Sequence, residues 1–144
     1  MNARLAAALD YRARSWAPLP LDPSGNKQPH FAALECVHGS SSWTPLAARP
    51  ASDPEIRAWF EHDPSANVGI ICGQASRGLV VADFDRPVSA GELQHPPTVI
   101  AEAKRGPHIY FQAPGRVDTT ETAWGELRGE GSYVVAPPSR RVGT

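Results

Sequence analysis

The sequence predicts an α+β fold, with two helices in its first half and a mainly antiparallel sheet in its second. Three observations lead there. Apolar residues recur at near-helical spacing in residues 2–16 and again after Ser52. From Asn67 onward they come instead in short strand-length runs rich in valine and isoleucine. The 15 prolines and 12 glycines among 144 residues predict many loops and short elements.

The first helix is read over residues 2–16. Leu5, Leu9, Ala13 and Trp16 form one face, and arginines fill the others. APLPLDPSGNKQPH, residues 17–30, is then extended and turn-rich, with PSGN as the turn. Residues 35–51 read as a connector containing Trp43. The second helix has a clear start. Ser52 and Glu55 have the spacing of a capping box, and Pro54 falls in the first turn. Ile56, Trp59 and Phe60 give its apolar face, and Pro64 ends it.

Strands follow. NVGIICG (67–73) and GLVVADFD (78–85) flank the short loop QASR, which predicts a hairpin. After the polar loop SAGELQHPP, the segment PTVIAEAKRGPHIYFQAP predicts two strands joined around Lys104–Pro107. DTTETAWG reads as a connector. ELRGEGSYVVAPPS predicts a short strand, a glycine turn and a strand Tyr133–Val135 that stops at Pro137. No internal repeat is visible.

The length suits one domain, residues 1–144, with a hydrophobic core. A net charge of −1 excludes a broadly basic surface, so any nucleic-acid contact has to come from a local patch. Two cysteines, Cys36 and Cys72, make no disulfide framework. The N-terminus carries arginines where a signal peptide would be apolar. No apolar run approaches the roughly 20 residues that span a bilayer. A cytoplasmic protein with no membrane partner is expected.

The chemistry concentrates at three points on strands. Asp83 and Asp85 stand two residues apart, so on a strand both carboxylates share a face. Like charges there repel and raise each other's pKa. The pair therefore implies a cation, and removing one aspartate is expected to stabilise the metal-free chain. His108 follows a Gly-Pro turn and shares a face with Tyr110. Glu126 shares a face with Arg128. Three converging carboxylates suit Mg²⁺ or Mn²⁺. Two such ions clamp the attacking and leaving oxygens of a phosphoryl displacement, while histidine and arginine hold the triphosphate. Each residue alone also fits a plain packing or solvated role.

Taken in order, these segments resemble the N-terminal bifunctional primase/polymerase domain of the archaeo-eukaryotic primase superfamily. The resemblance rests on Tyr11–Trp16, the proline-rich strand Pro18–Leu21, Lys27-x-Pro29 and Trp43. It continues through IRAWFEHDPSANVGIICG, GLVVADFD, RGPHIYF (Arg105–Phe111) and ELRGEGSYVVAPPS (Glu126–Ser139), the last similar to the family's third-acid strand and closing hairpin. It implies an RRM-like catalytic core and template-directed nucleotidyl transfer from nucleoside triphosphates on single-stranded or primed DNA. It further implies Asp83, Asp85 and Glu126 as ligands of two Mg²⁺ or Mn²⁺ ions, with His108 at the incoming phosphates. Arg105, Arg128 and Lys27 become candidates for further phosphate contacts.

Four departures stand out. The third acid is usually aspartate in the family and is Glu126 here. Gly106 stands where many members carry serine. The zinc-binding insertion of many relatives has only Cys36, His38 and His30 to match it, so zinc is not expected. The chain ends at PPSRRVGT where relatives continue, so a truncated or minimal domain is expected, with helicase or primer-binding modules elsewhere. Two other function classes compete. One is a nucleotide- or nucleic-acid-binding module of the same fold with weakened catalysis. The other is an unrelated D-x-D metal enzyme, for which RGPHIYF and ELRGEGSYVVAPPS lend no support.

Overall fold

The computed structural model describes residues 2–86, 99–101 and 106–140. The chain is α+β, with short helices and two antiparallel-rich sheets. It groups into two compact units: residues 1–71 with 135–144, and residues 72–134.

In the first unit, α1 (Ala3–Ala13) starts at Asn2, whose side chain accepts from the amides of Arg4 and Leu5. It ends three residues before Trp16, because Ser15 takes a left-handed φ of 66° and the chain enters β1 (Ala17–Leu21). Ala17, Leu19 and Leu21 are buried. Pro18 and Pro20 are tolerated because β1 is an edge strand, where a missing N–H breaks no interior ladder.

Helix α2 (Phe31–His38) was not expected. Its N-cap is His30, whose Nδ1 accepts from the Ala33 amide at 3.1 Å. Histidine is not among the usual capping residues, so the sequence carried no start signal there. The one-turn helix α3 (Pro45–Ala48) also falls in the expected connector. The count of two helices is therefore corrected to four α-helical segments among the described residues. Helix α4 (Asp53–His62) forms as expected, with both arms of the Ser52/Glu55 capping box made and Ile56, Trp59 and Phe60 buried. It packs against α1 and α2, and α1 lies on β1 and β2 (Asn67–Ile71). Among the described residues no helix is long and apolar enough to cross a membrane.

The expected hairpin between residues 67–73 and 78–85 does not form. β2 pairs with β1, in a sheet of order β1-β2-β8, with β8 at Tyr133–Val135. β3 (Leu79–Phe84) lies in the other sheet. The two runs meet at an isolated bridge, Gly73–Leu79, and not along a ladder. A single 3₁₀ turn at Gln74–Ser76, bounded by positive φ at Gly73, Arg77 and Gly78, redirects the chain. The closing hairpin of Glu126–Ser139 is corrected in the same way, since its two strands join different sheets.

The second unit is built on a five-stranded antiparallel sheet of order β4-β5-β3-β7-β6. Its other strands are β4 (Val99–Ala101), β5 (His108–Gln112), β6 (Thr120–Thr122) and β7 (Gly125–Arg128). The pairing of β4 with β5 matches the two strands expected around Lys104–Pro107. β6 replaces the expected connector. On one face Ala82, Phe84 and Ile109 are buried, with Phe111, Trp124 and Leu127 packed on them. Phe84 and Trp124 stack at 4.5 Å between ring centroids. This apolar face anchors β3 and leaves its odd-numbered residues on the opposite face.

Candidate active site

The register of the second sheet determines which polar residues meet. Asp83 lies directly across from His108 on one side and from Glu126 on the other. Directly paired residues share a face, so His108, Asp83 and Glu126 form one row on the three central strands. The next row is Tyr110, Val81 and Arg128.

Asp83 is held at both oxygens. His108 Nε2 donates to Oδ1 at 3.1 Å, and Arg128 Nε donates to Oδ2 at 2.9 Å. The same guanidinium reaches Glu126 Oε1 at 3.2 Å and the Tyr133 carbonyl at 3.2 Å. Burial alone would push the Asp83 carboxyl upward. Hydrogen bonds and charge from His108 and Arg128 outweigh it and hold the carboxyl below its ordinary range. Repulsion between the aspartates therefore does not govern Asp83, and the cation beside it is Arg128. His108 is buried, and its Nδ1 has no partner among the described residues.

The remaining site residues are placed less tightly. Asp85 is exposed and lies just beyond β3, its amide donating to the Trp124 carbonyl at 3.0 Å. Lys27 is an exposed residue of the first unit with a φ of 68°. Arg105 lies outside the described residues. Glu121 is a candidate that the sequence reading passed over. It sits on β6 directly across from Glu126 and extends the acidic row. Its flanking threonines, Thr120 and Thr122, were the available strand signal.

By donor chemistry the carboxylates of Asp83, Asp85 and Glu126 fit a hard cation such as Mg²⁺ or Mn²⁺. Among the described residues, no three His, Cys, Asp or Glu side chains are gathered as a ready metal site. The fit thus lies in the donor set and in the shared row of two of its members. Cys72, close to Arg128 and Glu130, is buried, and burial pushes its thiol up to about 12, which excludes it as a nucleophile.

The model of the family described as bifunctional DNA primase/polymerase, N-terminal, matches residues 8–144. The chain belongs to this family. No curated protein matches it. The family is one of primase/polymerase-type nucleotidyl transfer, and the match covers the D-x-D strand, the His108 strand and the Glu126 strand together.

Proposed function

We propose that this domain performs template-directed nucleotidyl transfer, as a DNA primase or polymerase, from nucleoside triphosphates on single-stranded or primed DNA. The observation that supports this most is the row His108–Asp83–Glu126 across adjacent strands, in a chain of the primase/polymerase family. Asp83, Asp85 and Glu126 are the proposed metal ligands. Bound there, two Mg²⁺ or Mn²⁺ ions would supply activation of a primer 3′-hydroxyl and charge neutralisation at the triphosphate.

The chain's own residues prepare that chemistry. His108 and Arg128 keep Asp83 ionised at neutral pH, the form that a cation requires. Arg128 offers a planar fork suited to phosphate oxygens. His108 Nδ1 offers a further polar atom that no described residue uses. Lys27 and Arg105 are proposed as additional phosphate contacts. The proposed setting is cytoplasmic, with a helicase or primer-binding module supplied by another segment or protein.

The test is Mn²⁺-dependent nucleotide incorporation on a primed template. Wild type is expected to extend the primer and Asp83→Asn to fail. Equal extension by both overturns the reading. A second reading, a nucleotide-holding module with weakened catalysis, is favoured by one observation: Glu126 is longer than the family's usual aspartate and is already engaged by Arg128. A thermal shift with Mn²⁺ and nucleoside triphosphate but no incorporation would select it.

A further inference from the structure

Asp85 differs from Asp83 in one respect: no side chain among the described residues holds its carboxylate in place. Its position depends on the backbone that carries it. The chain leaves β3 at Phe84 and is gripped on both sides. The Phe84 amide donates to the Pro107 carbonyl at 3.2 Å, and the Asp85 amide donates to the Trp124 carbonyl at 3.0 Å. Each bond is made next to a glycine, Gly106 two residues before β5 and Gly125 at the start of β7. A Cβ on Gly106 would press into the Arg86 carbonyl oxygen and lie 2.7 Å from that of Phe84. A Cβ on Gly125 would press into the Asp83 carbonyl oxygen and lie 3.1 Å from the Asp85 amide nitrogen. These neighbours are backbone atoms, which cannot turn aside as the end of a flexible side chain would.

We propose that Gly106 and Gly125 are positioning residues for Asp85. Having no Cβ, they let β5 and β7 close on the β3 exit from both sides and fix where the second aspartate stands. Gly106 gives the cleaner case. Gly125 has a φ of 151°, so a side chain there meets both strain and crowding. Gly106 has no positive φ, so crowding alone is at issue.

The inference rests on the reading of Asp85 as a metal ligand, and a double-mutant cycle separates the two. Mn²⁺ binding to the metal-free protein is measured by calorimetry for wild type, Gly106→Ala, Asp85→Asn and the double variant. Gly115→Ala serves as control, since a Cβ there meets nothing within 4 Å. Gly106→Ala is expected to weaken Mn²⁺ about tenfold or more, the usual cost of disturbing what orients a ligand. The double variant is expected to bind no more weakly than Asp85→Asn alone. If Asp85→Asn binds Mn²⁺ like wild type, the metal reading fails. If Asp85→Asn is weakened but Gly106→Ala is not, or if the two losses simply add, the positioning role is overturned. Should Gly106→Ala not fold, Gly125→Ala takes its place in the cycle. Loss of folding in both variants overturns the role in favour of a purely structural one.

Discussion

His30 and Asp63 meet at 2.8 Å in the first unit, and His108 and Asp83 meet at 3.1 Å in the second. In the first pair every bond is used locally. His30 Nδ1 accepts from the Ala33 amide and Nε2 donates to Asp63, whose other oxygen takes the Ser65 amide and hydroxyl. That pair ties the start of α2 to the end of α4. In the second pair Asp83 is shared with Arg128, which is shared with Glu126, and His108 Nδ1 has no described partner. A saturated pair supports a fold. A pair that shares its charges and leaves a polar atom over is suited to a ligand. Residue type does not distinguish them; the completeness of their hydrogen bonding does.

The sharpest way to break this comparison is activity. Asp83→Asn is expected to reduce nucleotide incorporation by at least about 100-fold, the scale of losing a charge-stabilising group in phosphoryl transfer. Asp63→Asn, assayed well below its melting temperature, is expected to leave the rate unchanged. Comparable losses in both would end the distinction.

Stability should show the reverse order. His30→Ala removes an N-cap and a charged hydrogen bond and is expected to cost about 1–3 kcal/mol in denaturant unfolding. His108→Ala removes one described bond and should cost less. Asp85→Asn should stay within about 0.5 kcal/mol, as is usual for an exposed residue. This replaces the expected stabilisation, because His108 and Arg128 already compensate Asp83. A gain of more than about 1 kcal/mol for Asp85→Asn would restore the repulsion argument.

The smallest effect lies in acid. Hydrogen bonds from Ser65 and His30 hold the Asp63 carboxyl at about 2, against an ordinary 3.8. A depressed folded-state pKa means that the unfolded chain binds more protons in this range, so stability falls as pH falls. The contribution is complete above about 3.8 and lost on the way down to about 2. The difference in unfolding free energy between wild type and Asp63→Asn, followed over that window, should shrink as pH falls. A difference that stays constant with pH would show that the ionised Asp63 does not contribute to stability.

Much was legible in the chain where local rules act alone. The capping box at Ser52 announced α4, and alternation along β3 put Asp83 and Phe84 on opposite faces. The residues that failed are those whose conformation depends on distant partners. Helix α2 is capped by a histidine that Asp63 orients from α4. β6 becomes a strand only because β7 lies beside it. The turn at 74–76 sends β2 and β3 to different sheets, although both carry strand-length apolar runs.

The sequence by itself determined the α+β class, the family, and the acidic and basic residue types of the candidate site. These follow from periodicity, composition and ordered short motifs, all of which are local. Tertiary structure alone decided that Glu126 stands opposite Asp83, that Arg128 spans both carboxylates, and that two glycines close on the Asp85 backbone. The reason is register: a strand specifies which residues share its face, and only pairing with its neighbours specifies which residues they meet.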